Sequence, residues 1–355
     1  MRANVVGLKI GASRLTAACL VVNGRTELLQ LAQAPLTPGV VAGGEVRDVP
    51  ALTSALKAFF REHKLPRRRV RLGVASNRVG VRTIELTEIE EPRQLANAIR
   101  FRAQEVLPIP FEDAVLDFHL LPPNGDEPEA VTARAVVAVA HRELIDPYVQ
   151  AAKDAGLRLE RIDLEAFALL RALVPAGAAL TSDEPSAVVA ISIGAERSVL
   201  AVSDGTSCDF SRVIDWGGTA LTRALARATG ESEEAAEELK AKLALTLGTE
   251  GIPGATAEQS HEVRAAIDAE LRRFAREIVS SLQFSQSQPS SLGIREIVLA
   301  GGTAQLAGLD EALRRLVGVR VRIGDPSTTV SVGKKYRHAY PNPSFAIPIG
   351  LAIGR

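Results

Sequence analysis

Cysteine, methionine, tryptophan and tyrosine are scarce: two Cys, one Met, one Trp and three Tyr in 355 residues. Cys19 and Cys208 stand far apart in apolar, strand-like contexts. That excludes a disulfide framework and a thiolate zinc site, and leaves two reduced, buried thiols. His63, His119, His141, His261 and His338 are scattered singly, with no metal-ligand spacing, so no metal site is expected. Aromatic residues make up only 4% of the chain, so the core must be built from Ala, Val, Leu and Ile. There is no excess of either charge, 42 Lys and Arg against 42 Asp and Glu, which removes the general basis for binding nucleic acid or a membrane surface. The one basic run, Arg67-Arg68-Arg69, reads as a solvated loop before a strand. No apolar stretch approaches the ~18–20 residues that span a bilayer. The N-terminus enters a strand with no basic, apolar and cleavage pattern. A cytoplasmic protein is expected, with any membrane association arising through a partner.

What the chain does have is length enough for two or more domains and an internal repeat. Val5–Ile10 is an apolar run closed by Gly11-Ala12-Ser13; Leu15–Val22 follows and ends at the hairpin signal Asn23-Gly24. The pattern returns after the small, polar stretch Pro175–Pro185: Ala187–Ile193, then Gly194-Ala195-Glu196, then Ser198–Val202 and the turn Asp204-Gly205. Between the repeats, apolar spacing predicts helices over Val49–His63, Glu91–Leu107, Leu144–Ala155 and Ala166–Leu173. Leu107-Pro108-Ile109-Pro110-Phe111 stops the second of these, because proline cannot continue the hydrogen-bond ladder. Residues 217–284 are helix-rich, and a buried strand, Glu296–Ala300, runs into Gly301-Gly302-Thr303.

A hairpin with glycine at its turn exposes backbone amides that can cradle phosphate oxygens. One such turn is common. Two at equivalent places, with a third glycine pair after a buried strand where a flat base or sugar could pack, point to a nucleotide held between two lobes.

Val6-Gly7-Leu8-Lys9-Ile10-Gly11-Ala12-Ser13, Pro38-Gly39-Val40-Val41 and Gly44-Glu45-Val46 appear in that order. So do Ala98–Glu105 with Leu107–Phe111, Gly217-Gly218-Thr219, Ala236–Lys240 and Leu299–Ala304. In this order they resemble the actin-like ATPase superfamily and, within it, the PilM family of type IV pilus assembly proteins. The resemblance covers almost the whole chain. It implies an α/β, actin-like (ribonuclease H-like) two-lobed fold with a duplicated βββαβαβα core and an FtsA-type 1C subdomain. Residues 1–78, 161–183 and 345–355 would form subdomain 1A, 79–160 subdomain 1C, 184–215 and 295–344 subdomain 2A, and 216–294 subdomain 2B.

It also implies a site. Lys9, Gly11, Ala12, Ser13, Ser192, Gly194, Ala195, Glu196, Glu237, Lys240, Gly301, Gly302 and Thr303 would contact ATP or ADP. Glu237 and Lys240 match positions near the ribose, or else form an ordinary solvated face on a crowded acidic helix. Phe101, Glu105, Leu107, Pro108, Pro110 and Phe111 would contribute a peptide groove, or else an ordinary helix end. Implied partners are a PilN-like bitopic inner-membrane protein, held by its cytoplasmic tail, other pilus platform proteins, and further copies of the chain.

Two positions depart from the pattern. The superfamily places acids where this chain has Lys9 and Ser192, and those acids organise Mg2+ and the attacking water. Without them there is no obvious ligand set for magnesium. Either Lys9 pairs with phosphate in place of the metal, or it pairs with a neighbouring carboxylate in a site that has lost its nucleotide. An adaptor with weak or absent hydrolysis is expected. A small-molecule kinase or chaperone-like ATPase would need those acids. A division protein of the FtsA type would usually end in an amphipathic membrane helix, whereas Gly354-Arg355 directly follows an apolar segment.

Overall fold

The computed structural model describes residues 4–23, 25–87, 92–106, 113–121, 131–174, 185–243, 245, 256–288, 291–333 and 342–354. The first meander is β1 (Asn4–Ile10), β2 (Arg14–Asn23) and β3 (Arg25–Pro35), followed by the short strands β4 (Val41–Ala42) and β5 (Glu45–Val46). Helix α1 (Val49–Glu62) starts where the Asp48 carboxylate accepts the Ala51 amide at 2.8 Å. Its 3.6-residue spacing buries Leu52, Leu56, Phe59 and Phe60. Then come β6 (Val70–Val74), β7 (Val79–Thr87), α2 (Pro92–Val106), β8 (Ala114–Leu121), β9 (Val131–His141), α3 (Arg142–Asp154), β10 (Leu159–Leu164) and α4 (Glu165–Leu173). The second meander is β11 (Ser186–Ile193), β12 (Ser198–Ser203) and β13 (Cys208–Ile214). It is followed by α5 (Gly218–Thr229), α6 (Glu233–Lys242), α7 (Ala257–Gln286), β14 (Gly293–Ala300), α8 (Leu309–Val317), β15 (Arg320–Ile323), β16 (Ser331–Val332) and α9 (Ala346–Ile353).

The sheets carry the duplication. One runs β10-β6-β1-β2-β3-β16 and the other β15-β14-β11-β12-β13. In each, the opening hairpin is antiparallel and the next strand inward is parallel: β6 beside β1, β14 beside β11. Five strands correspond one for one, and β16 extends the first sheet alone. The first sheet packs on α1 and α3, the second on α5 to α8. A third core joins the lobes, where α4 and α9 meet β11, β12 and β14 through Leu169, Leu351, Ala190, Ala201 and Val298. Gly350 permits that contact, because a Cβ there would lie 1.8 Å from the Ala168 carbonyl oxygen. The small sheet β7-β9-β8 has its own core with α2, including Ile84, Ile99, Ala103 and Val137.

Three packing contacts cross the expected divisions. Helix α3, assigned to 79–160, puts Leu144, Ile145, Tyr148 and Ala151 into the first lobe's core, because its apolar face meets α1. Strand β16, assigned with 295–344 to the second lobe, pairs with Glu27 and Leu28 of β3. Residues assigned to 216–294 share one core with the second sheet: Phe274 of α7 stacks on Trp216 at 4.0 Å, and the indole N–H donates to Glu270 at 3.1 Å. Trp216 is therefore a packing residue of this core. Cys19 and Cys208 are free and buried. Burial pushes both thiols above their ordinary range, to about 11 for Cys19, so they stay protonated and unreactive.

Candidate functional site

Both opening hairpins close with the same turn. Ile10 pairs with Leu15, and the Gly11 amide donates to Arg14 O at 2.9 Å; Ile193 pairs with Ser198, and the Gly194 amide donates to Arg197 O at 2.9 Å. Those amides are spent on the turns. The tip amides at Ala12–Ser13 and Ala195–Glu196 are the groups that would meet a phosphate.

The second turn gathers the other glycine segments. Gly194 O accepts from the Gly218 amide and from Thr303 Oγ1, each at 2.9 Å, and Ala195 O accepts from the Thr219 amide at 2.8 Å. Gly301 has φ 91°, and a Cβ there would lie 2.3 Å from Ile193 O, so no other residue lets the two strand ends meet. Gly302 faces open space, with nothing within 4 Å of where its Cβ would be, as a base or sugar plane would require.

Glu237 and Lys240 of α6 reach the same place. The Lys240 ammonium donates to Gly218 O at 3.1 Å, Thr222 Oγ1 at 2.8 Å and Glu237 Oε2 at 2.5 Å. Burial alone would raise the Glu237 carboxyl, but hydrogen bonds from Lys240 and Thr222, with the Lys240 charge, hold it below the usual carboxylate range. The charge of Arg14, beside the first turn, acts on Glu237 in the same direction. Lys240, 13% exposed, is thus packed against the Gly218 segment, while Glu237 stays 58% exposed. The structure brings together the second turn, Gly301–Thr303, Glu237 and Lys240, with the first turn's flank opposite.

The departing positions have protein partners. Lys9 Nζ lies 3.1 Å from Glu165 Oε2, with the side chains 18% and 6% exposed. Ser192 is buried inside β11, in register between Val199 and Ala300. Glu196 Oε2 accepts the Gly43 amide from the first lobe at 3.1 Å. Magnesium takes oxygen ligands, commonly through carboxylates. Here one position holds an ammonium, one a buried hydroxyl, and the nearby carboxylates are engaged by Lys9 and Gly43. The donor set does not fit Mg2+. Among the described residues no group of three His, Cys, Asp or Glu could hold a metal.

For the peptide groove, Phe101 on α2 is 63% exposed, and Glu105 takes a 2.6 Å hydrogen bond from Arg102. Leu107, Pro108, Pro110 and Phe111 lie outside the described residues. A cavity of about 160 Å³, lined by Val74, Ala75, Asn77, Val81, Leu164 and Val213 among others, sits where the small subdomain meets both lobes, away from the turns. Among the described residues no helix is long and apolar enough to cross a membrane.

Sequence reasoning missed Glu165, Arg197, Asp215 and Gly43. Glu165 is the first residue of α4, where an acid is an ordinary helix-start feature, so nothing marked it out. Arg197 carried a faint signal, as a second charged side chain in a turn otherwise built of small residues.

Residues 7–355 match the family described as type IV pilus assembly protein PilM. A solved structure titled as a PilM–PilN type IV pilus biogenesis complex aligns with TM-score 0.82 and 27% identity, over 99% of this chain and 98% of that one. The cell division protein FtsA of Neisseria meningitidis is 25% identical over 97% of this chain and 88% of its own length. MreB5 of Spiroplasma citri, solved with ADP, shares the fold at TM-score 0.54 and 13% identity, over 99% and 95% of the two chains. The duplicated sheets, the paired turns and the match over nearly the full length agree: the chain belongs to the PilM family of type IV pilus assembly proteins, with an actin-like fold.

Proposed function

We propose that this protein is an adaptor of the pilus assembly platform, or of a related secretion or competence machine. It would bind ATP or ADP without appreciable hydrolysis and hold the N-terminal tail of a PilN-like inner-membrane protein. The observation that carries this reading is the Lys9–Glu165 ion pair at 3.1 Å, which occupies the position where a hydrolase needs a free acid. A bound nucleotide would rest on the tip amides of the two turns, with its base side toward Gly302 and α6. Lys240 and Glu237 would orient that end, and Lys9 and Ser192 stand where the acids that help polarise water are expected. The kinase and chaperone-like alternatives lack support for the same reason. Assembly with other platform proteins and with copies of the chain belongs to the same proposal, as does a location under the membrane through the partner.

The tail would engage the small subdomain, where Phe101 is exposed on α2 while Ile99 and Ala103 face inward. A labelled synthetic peptide of the tail encoded by the neighbouring membrane protein should bind the full chain. Phe101→Asp should abolish binding while leaving stability within about 0.5 kcal/mol, as for a surface change. Phosphate release with ATP and Mg2+ should stay at background. Turnover that EDTA abolishes, or a tail that fails to bind with or without ATP, would count decisively against this reading.

A further inference from the structure

The groups around the vacated acid positions do other work. Glu196 holds the Gly43 amide across the cleft at 3.1 Å. The next residue, Arg197, bonds Asp215 Oδ1 through Nε at 2.9 Å, and Asp215 Oδ2 accepts from Asn77 Nδ2 of the first lobe at 2.9 Å. The guanidinium lies against the β4–β5 turn. A Cβ on Gly43 would be 3.2 Å from Arg197 Nη2, and one on Gly44 would be 2.9 Å from Nη1. Both glycines have positive φ, 59° and 71°, so the turn has the shape that admits the guanidinium. From the other side Tyr148 of α3 donates its phenol to Gly44 O at 3.1 Å. The tyrosine is buried, and that burial, with the charges of Glu165 and Glu45 beside it, keeps the phenol protonated as a donor. Arg78, at the entry to the small subdomain, pairs with Glu45 at 3.5 Å and Glu143 at 3.1 Å. Glu196 thus bonds a first-lobe turn that is braced from below, and Arg197 packs against the same turn with Nη1 buried and without a hydrogen-bond partner, next to the root of the small subdomain.

We infer that Glu196, together with Asp215 held by Arg197, forms a latch that holds the two lobes closed through hydrogen bonds to Gly43 and Asn77, in place of a nucleotide–metal bridge. Lobe closure and the placement of the small subdomain are then independent of nucleotide. The disagreement with magnesium follows from the same arrangement: of the carboxylates that would border a hydrated ion, Glu196 is committed to the opposite lobe and Glu165 to Lys9. The latch does not rest on the identity of the partner.

Hydrogen exchange of the full chain tests this, with no nucleotide, with ATP and Mg2+, with ADP and Mg2+, and with ATP and EDTA. The wild type should show equal protection of residues 43–45 in all four conditions. Glu196→Ala, which removes the acceptor of the Gly43 amide, should raise exchange there by roughly tenfold, and Arg197→Ala and Asp215→Ala, which release the Asn77 bond, should raise it by a few-fold. Asn77→Ala removes one bond from an exposed side chain and leaves the core intact, so it remains readable if the arginine variant misfolds; a smaller rise is expected. Protection that appears in the wild type only with nucleotide overturns the latch. So does unchanged exchange in Asp215→Ala and Asn77→Ala.

Discussion

Replacing Lys9 by methionine deletes one half of a buried ion pair and strands the other. The Glu165 carboxylate, 6% exposed, keeps its desolvation cost and loses the ammonium 3.1 Å away. Breaking a buried pair in this way costs about 3–5 kcal/mol, and the 18% exposure of Lys9 places this case near about 3 kcal/mol. Glu165→Gln leaves an ammonium that still reaches water and should cost about 2 kcal/mol, the range of a hydrogen bond to a charged group. Removing both charges, in Lys9→Met with Glu165→Gln, should recover about 1 kcal/mol relative to Lys9→Met alone, since no buried charge is left unpaired. In a lobe of this size about 3 kcal/mol corresponds to a fall in Tm of roughly 6–12 °C, which differential scanning fluorimetry resolves easily. The same variants separate the two roles open to Lys9. A structural cation costs stability without nucleotide present, whereas a phosphate ligand costs ATP affinity with little change in Tm. An unchanged Tm in Lys9→Met, or strict additivity in the double variant, would refute the reasoning.

Two further outcomes follow from the packing and the charges. Gly350→Ala should destabilise by about 3 kcal/mol, the upper range for overpacking, because its Cβ would meet Ala168 O at 1.8 Å and force α9 off α4; urea denaturation measures it. Glu296 receives a two-pronged hydrogen bond from Arg322 at 2.9 and 3.0 Å, which holds its carboxyl below the usual range despite opposing burial. Its folded value lies below its unfolded one, about 4.3. The contribution is therefore whole above that pH and is lost as pH falls through the folded value. The Tm gap between wild type and Glu296→Gln should be constant above about pH 5 and shrink below about pH 4.

Local chemistry made much of this protein readable in one dimension. Turn residues with no Cβ, alternation within strands and 3.6-residue spacing in helices act over a few neighbours, so the strands at Val5–Ile10 and Ala187–Ile193 and the two glycine turns are as expected. The equivalence of Gly11 and Gly194 was legible for the same reason, and with it the two-lobed duplication. The neighbour on which α3 packs was not, because its apolar stripe suits either side, and only its contact with α1 decides. The sequence also determined that Lys9 and Ser192 stand where acids are expected. It could not say what they do instead. Parallel pairing of β1 with β6 and β6 with β10 carries Lys9 to Glu165. Lobe closure carries Glu196 to Gly43 and Asn77 to Asp215. Such partners lie far apart in the chain and leave no periodic trace. Electrostatic pairing depends on distance in space, and that distance exists only once the two sheets have packed through α4 and α9.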